Sequence, residues 1–583
     1  MIDRWITDDE PSRTFPHYTR ANADEVGPDP FSPLGWTLGW VQGCIPGVAR
    51  GFIDYGVVHP EELRPGRPEV FGNWGGYFYN QLTLPRLLGV RMPGASPDAM
   101  DRAYFGDHPG VPAFEMKPEY EDAELSEKLT RSMSWVMSTD DCPEMDEWAE
   151  TARRFRTERP DLTSLSDAQL LERGRQLAPL IAETWRPYCI VTFAASVGAA
   201  AVAGVLEPIG RAADSMRLIS SVGGVESADA SIQLWDLGRM VARSPVLTRE
   251  FDLGVDGLLE RLSRSGDADA SAFTAGLSRL LSDHGHRGPN EWDMMPDSWE
   301  TRPELVLGMI DAVRHQDDDR SPAAAAARGS AARVRLQAEL EEALSGDAEA
   351  LATLRAGIHS AAVFFPLRER GKNACIRLIN EAKVCFFELG RRLTERGLLD
   401  HKQQIFMLLD EELDSFLSDP HPWLTVIRDR EADFEQLRQL EPPYIIDAAV
   451  GVPPISTWPK RNHASEGADR AGAGEVLVGA GASPGSARGR AKIVLDPSEP
   501  GDLAPGDVIV VHTSDPSWTP LYMVASAVVC DVGAVASHAA IVSRELGIPC
   551  AVSVVGATTR IPDGAMVHVD GATGVVTIES IPA

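Results

Sequence analysis

Cysteine is scarce in this chain: seven residues among 583, at positions 44, 142, 189, 375, 385, 530 and 550, odd in number and without a CxxC pair. That usage excludes a disulfide-stapled secreted scaffold and fits reduced thiols, and we expect no metal site. Positive charge is also short. Fifty-five Lys+Arg face 86 Asp+Glu, a formal net charge of -31, so the mean field repels nucleic acid and anionic lipid, and neither is expected as a partner. Any phosphate-handling site must then be a local basic island. Neither GxxxxGK[ST] nor GxGxxG occurs, so no P-loop or dinucleotide fold is expected. Met1 to Glu10 has no basic start and no apolar run, which argues against a secretory signal and for a cytoplasmic location. The one stretch almost free of charge, Ile190 to Leu206, is rich in Ala and Gly and falls short of the roughly 20 residues that span a bilayer. It is read as a buried helix.

What is present is globular: 43% apolar, 24% charged and 7% aromatic residues. The length calls for two to four domains at about 150 residues each. Residues 1–122 are rich in Pro, Gly and aromatics, with β-like runs such as Gly75 to Asn80 and turns such as Met92 to Pro97, and read as a mixed segment. Residues 123–455 carry apolar positions at spacings of three and four, with a helix start at Ser166 to Gln169 and a second at Ser321–Pro322, and read as mainly helical. Residues 456–474 contain almost no core-forming residue and read as a flexible linker. Residues 475–583 alternate short Val/Ile runs (508–511, 527–530, 566–569, 575–578) with Gly/Pro turns, the pattern of a compact α/β domain. The expected class is multidomain, α plus α/β.

Within the last domain, a small-residue loop leads from Cys530 into a short helix stopped by Gly547, which puts His538 at the helix start. A helix start offers unpaired N–H groups and about half a positive charge, suited to an anion carried on the imidazole. Neutral imidazole is a nucleophile near pH 7. Gly533 to Val552, preceded by Gly481 to Gly485 and Leu503 to Val510, closely resembles the swivelling phosphohistidine domain of the phosphoenolpyruvate-utilising enzymes. The loop reads Gly533-Ala534 where that family usually has Gly-Gly. The resemblance implies that His538 is the covalent phosphoryl carrier, with Ser537 and Arg544 beside the phosphoryl group.

Two further stretches resemble the family's acceptor region: Phe15 to Leu34, and Asp283 to Asp293 with its GHRG-x-x-E signature. Arg287 offers a planar fork for a phosphoryl group, and His284, His286, Glu291 and Asp293 are candidates to take a proton from a hydroxyl. Of these, His286 and Glu291 are taken as the catalytic candidates. Arg368 and Lys372 resemble the family's Arg-x-x-x-Lys pair; at i,i+4 they share a helix face and repel unless an anion lies between them, which reads as a phosphate clamp. Arg377 and Lys383 extend the basic character and read as a solvated face. Among Trp36, Trp40, Trp74, Tyr77, Phe78, Tyr79, Trp292, Phe364 and Phe365, we take Trp36, Trp292, Phe364 and Phe365 as the lining for a ring-bearing acceptor.

After the His domain we expect no pyruvate-handling barrel, and with no stretch of some 300 residues unassigned we expect no ATP-grasp fold in this sequence. This order resembles the acceptor and His parts of rifampicin phosphotransferases and the large subunit of phenylphosphate synthases. The resemblance implies a phosphotransferase in which a separate ATP-grasp subunit, binding ATP and Mg²⁺, forms the phosphohistidine and this chain passes the group to a small hydroxylated aromatic such as phenol or 4-methylphenol. Gly89 to Pro97 favours the phenol members by the same resemblance. The alternatives are a rifampicin-like or other hydroxyl phosphotransferase, and a non-catalytic phosphocarrier or regulatory protein.

Overall fold

The computed structural model describes residues 2–582 apart from 65, 106–109, 225, 462–469, 496, 498–499, 515–517 and 534–536. The chain divides into two compact units: Met1–Gly198 with Asn290–Pro296 and Val363–Arg461, and Ala199–Pro289 with Asp297–Ala362 and Asn462–Ala583. The segment 1–122 shares a unit with helices of the 123–198 and 363–461 stretches, while 199–289 and 297–362 cluster with the C-terminal domain. Sequence composition gives no hint of it, because two of the changeovers fall inside unbroken helices, Asp167–Leu206 and Ala348–Glu395.

The first unit is built on a four-stranded antiparallel sheet of β1 (His17–Thr19), β2 (Phe71–Trp74), β3 (Tyr77–Gln81) and β4 (Ile445–Asp447) in the order β2-β3-β1-β4. Gly75 and Gly76, at φ 59° and 78°, make the two-residue turn between β2 and β3 that only glycine enters cheaply. The aromatics of this hairpin form core. Tyr77 donates its hydroxyl to Leu437 and Leu440 carbonyls at 2.8 and 2.9 Å, Tyr79 to Pro443 at 2.8 Å, and Trp74 its indole N–H to Asp9 at 2.9 Å.

A wide-turn π-helix, Gly35–Cys44, runs directly into the α-helix Ile45–Tyr55. Their glycines allow close approach to helix Asp167–Leu206. A Cβ on Gly43 would meet Ile181, one on Gly47 the Ala182 carbonyl and Trp185, and one on Gly51 Cys189. Helix Asp167–Leu206 opens as its sequence suggests: Ser166 N–H donates to Gln169 Oε1 (2.8 Å) and Gln169 N–H to Ser166 Oγ (3.3 Å), a reciprocal capping box. The Ile190 to Leu206 stretch forms the C-terminal part of that 40-residue helix. Helices Asp167–Leu206 and Ala348–Glu395 are both long and apolar enough to cross a membrane by length and composition, with 44% and 39% of their apolar windows buried inside the protein.

The second unit contains a helical lobe and an α/β domain. In the lobe, helices Glu226–Arg243, Pro245–Asp252, Leu258–Ser265, Ala268–His284 and Glu304–Arg314 close over a core that includes Phe251 and Phe273. Helix Pro322–Ala343 starts at Pro322 as expected, although Ser321 makes no side-chain cap. The α/β domain holds β5 (Val476–Val478), β6 (Ala480–Ser483), β7 (Ser486–Ile493), β8 (Val508–Val511), β9 (Ala527–Cys530), β10 (Cys550–Val552), β11 (Met566–Asp570) and β12 (Val575–Ser580), in the order β5-β12-β11-β7-β8-β9-β10-β6. β7 through β10 pair in parallel. β8 and β9 are buried at every residue, and therefore read as unbroken apolar runs.

Much of the expected linker 456–474 lies outside the described residues. Its flanks are fastened. Trp458 is buried and Arg461 pairs with Asp29 at 3.0 Å in the first unit, while Ala471 N–H bonds the Arg560 carbonyl (2.9 Å) and Gly474 N–H the Ile578 carbonyl (2.7 Å) in the second.

Candidate functional site

The α/β domain presents His538 as the first residue of helix His538–Leu546, which ends at Gly547 in the left-handed conformation (φ 69°). Ser537 is the N-cap, its hydroxyl accepting from the Ala540 N–H at 3.3 Å. That fixes the first turn, so the remaining N–H groups and the helix dipole favour an anion there. His538 is 8% exposed, and its Nε2 shares a hydrogen bond with Thr519 Oγ1 at 3.2 Å. Thr519 was not singled out in the sequence: it sits 19 residues upstream on helix Thr519–Val524, and no local pattern links it to His538. Arg544 lies lower on the His538 helix, its Nε donating to the Ala482 carbonyl of β6 at 2.6 Å. Ala534 of the departing loop is outside the described residues.

The GHRG-x-x-E stretch straddles the unit boundary at Pro289/Asn290. In the second unit, His286 is fully buried and Arg287 is 3% exposed, with the Arg287 carbonyl accepting from Trp299 N–H at 2.8 Å. His284 is tied to helix Glu226–Arg243 through Asp229, Nε2 to Oδ2 at 3.1 Å, which makes it a fastening between helices.

In the first unit, Glu291 lies 3.1 Å from Lys372 Nζ, their side chains 1% and 15% exposed. The candidate base and one arm of the expected phosphate clamp are thus paired with each other. Arg368 stands one turn before Lys372; burial pushes the nearby Tyr188 hydroxyl up, opposed by the Arg368 charge. Asp293 accepts from Ser32 N–H (3.1 Å), Ser32 Oγ (2.7 Å) and Met294 N–H (2.7 Å). Burial raises its carboxyl above the ordinary range, opposed by the Ser32 bonds and the Lys383 charge. Those bonds make Asp293 the anchor of the turn before the π-helix. Arg377 and Lys383 do not lie on a solvated face: they are 5% and 1% exposed. Their charge suggested an outward face, but helix Ala348–Glu395 is surrounded by core along this stretch.

Trp36 stacks on Trp40 (5.7 Å, 15°), Trp40 meets Trp292 (6.3 Å) and Trp185 (6.2 Å), and Trp292 packs on Trp185 (5.0 Å) and parallel to Tyr188 (6.3 Å, 20°). This aromatic cluster adjoins Glu291 through the chain. Trp185 and Tyr188 were missed in the sequence, since both sit inside a long helix with no distinguishing neighbours. Phe364 does not join the cluster; its ring is fully buried against Trp135 at 5.3 Å. Phe365 packs against the same core from a half-buried position.

Among the described residues no group of three or more His, Cys, Asp or Glu is placed to hold a metal ion.

Residues 503–574 match the family described as the PEP-utilising enzyme mobile domain, and residues 188–369 match the rifampicin phosphotransferase fourth domain. Over 96% of its length the chain is 27% identical to an uncharacterized protein of Mycobacterium tuberculosis, covering 61% of that protein. It is 30% identical to the rifampicin phosphotransferase of Streptomyces sviceus over 63% of this chain and 41% of the relative. The rifampicin phosphotransferase of Bacillus subtilis is 28% identical over 51% of this chain and 34% of its own. The chain therefore spans from about a third to about six-tenths of these relatives.

Proposed function

We propose, from the match of residues 503–574 to the mobile domain of the PEP-utilising enzymes, that the protein is a phosphotransferase in which His538 carries a phosphoryl group to the hydroxyl of a small aromatic acceptor. The observation that carries the reading is the placement of His538 at a capped helix start with its Nε2 held by Thr519.

In this reading a separate ATP-grasp chain, holding ATP and Mg²⁺, phosphorylates His538 and releases AMP and phosphate. The phosphoryl group then passes to a phenolic hydroxyl: the N–P bond breaks, the O–P bond forms in line, and the phenol proton goes to Glu291 or His286. Arg287, Arg368 and Lys372 supply the positive charge that the equatorial oxygens need. Lys372 exchanges its Glu291 partner for the phosphoryl oxygens, which leaves a buried carboxylate with a raised affinity for the proton. The aromatic cluster around Trp36 and Trp292 supports a ring-bearing acceptor. The protein works in the cytoplasm in this reading.

A rifampicin-type acceptor is the second reading, favoured by the match of residues 188–369 to the rifampicin phosphotransferase fourth domain. Intact-protein mass spectrometry at neutral to alkaline pH, with ATP, Mg²⁺ and the ATP-grasp chain, tests the carrier. One phosphoryl group is expected on the wild type and none on His538→Ala. Discharge by phenol, 4-methylphenol or rifampicin then identifies the acceptor. No phosphorylation beside a demonstrably active donor would sink the enzyme reading in favour of a binding protein.

A further inference from the structure

Helix Thr519–Val524 has two attachments one turn apart. Thr519 holds His538 Nε2 at 3.2 Å, and Met523, four residues on, is buried with Trp235 and Val313 of the helical lobe. The His538 helix is tied to the same place from its far end, where Leu546 packs on that cluster. Arg320 of the lobe adds a hydrogen bond to the Ala525 carbonyl just past helix Thr519–Val524, at 3.4 Å. The three central side chains are nearly sealed: Trp235 and Met523 are each 5% exposed and Val313 is fully buried. Trp235 is itself braced by the Arg239 guanidinium 4.6 Å from its ring centre. The two short helices that bear the imidazole and its hydroxyl partner therefore share one apolar contact with the lobe.

We propose that the Met523–Trp235–Val313 contact is a latch that sets the reactivity of His538, closed when it holds Thr519 on Nε2 and open when the lobe lets helix Thr519–Val524 go. Met523 and Trp235 are positioning residues in this scheme, acting on the imidazole through Thr519. With the latch closed His538 is 8% exposed and its Nε2 is engaged, so a donor cannot come within the roughly 3 Å that phosphoryl transfer demands. Opening removes both obstacles in one movement, because the seat and the hydrogen bond lie on the same helix. The functional meaning of the latch rests on the reading of His538 as phosphoryl carrier, but its test does not.

Diethyl pyrocarbonate acylates unprotonated, accessible imidazole, and peptide mass spectrometry of the full chain gives the rate at each histidine. His512 serves as an internal control: it lies at the end of β8, bonded to Asp531 at 3.1 Å, with a side chain 38% exposed and no part in the latch. Met523→Ala and Trp235→Ala should each raise the His538 rate about tenfold, the scale of a local opening equilibrium, and leave His512 unchanged. Met523→Leu, which refills the seat, should restore the wild-type rate. In a Thr519→Val background, Met523→Ala should add less than about twofold, because the latch acts through that hydroxyl. Unchanged His538 rates in both alanine variants would overturn the latch, as would an equal rise at His512, which would mean general loosening. No donor, acceptor or phosphoryl group enters this measurement. The expected rates in a protein whose His538 never accepts phosphoryl would sink the carrier reading alone; unchanged rates with normal phosphorylation would sink the latch alone.

Discussion

Replacing Lys372 by methionine removes the ammonium 3.1 Å from Glu291 and leaves that carboxylate, 1% exposed, in the interior. At an effective dielectric of about 20 the lost attraction is about 5 kcal/mol, set against the cost of desolvating both charges, and truncating one partner of a buried pair costs about 3–5 kcal/mol. Lys372 keeps 15% exposure, which puts Lys372→Met at the low end, about 3 kcal/mol. Glu291→Gln should cost about half as much, because the freed ammonium can turn toward water along its flexible stem. The double variant should cost no more than Lys372→Met alone, a coupling of about 1–2 kcal/mol. Urea denaturation followed by tryptophan fluorescence reads this directly, since Trp36, Trp40, Trp185 and Trp292 share the unit with the pair. The midpoint should fall with an unchanged slope. Costs additive to within about 0.5 kcal/mol would refute the pairing and with it the exchange of Lys372 between Glu291 and a phosphoryl group.

Gly47→Ala would set a methyl group against the Ala182 carbonyl and 2.6 Å from Trp185 Cβ; overpacking of this kind costs about 1–3 kcal/mol, and the same urea titration should show it, with no loss at the open site Gly204→Ala as control. Asp8 and Asp9 have carboxyls pushed up by burial to about 6 and about 7, only partly offset by backbone N–H bonds from Trp5, Gly75 and Asn73. The folded chain therefore holds more protons than the unfolded chain between about pH 4 and pH 7. Stability from these groups is present at low pH and lost as pH rises through that window. Asp9→Asn should flatten the fall in melting temperature between pH 5 and pH 8; an unchanged slope would show that Asp9 is ionised throughout.

Legibility varied with how local the physics was. The start of helix His538–Leu546, its stop at Gly547, the Ser166 capping box and the buried strands β8 and β9 were readable because each is written within a few neighbouring residues. The faces of helix Ala348–Glu395 were not. Charge made Arg377 and Lys383 look outward, yet both are buried, and the i,i+4 spacing of Arg368 and Lys372 gave no warning that Lys372 would take Glu291, which lies outside that helix. Phe364 and Phe365 are adjacent in sequence to nothing that reveals Trp135 as the ring Phe364 meets.

The sequence alone determined that the chain folds into several parts, that its last part alternates short apolar strands with turns, and that one histidine heads a helix there. Those features depend on hydrogen bonds and periodicities that close within a few residues. Only the tertiary structure decided that Thr519 holds that histidine, that Met523 ties the same helix to Trp235 and Val313, and that the base candidate and a clamp candidate neutralise each other. These contacts join residues tens to hundreds of positions apart. They are selected by which buried charges and apolar faces find partners when the core closes, a condition that no local pattern records.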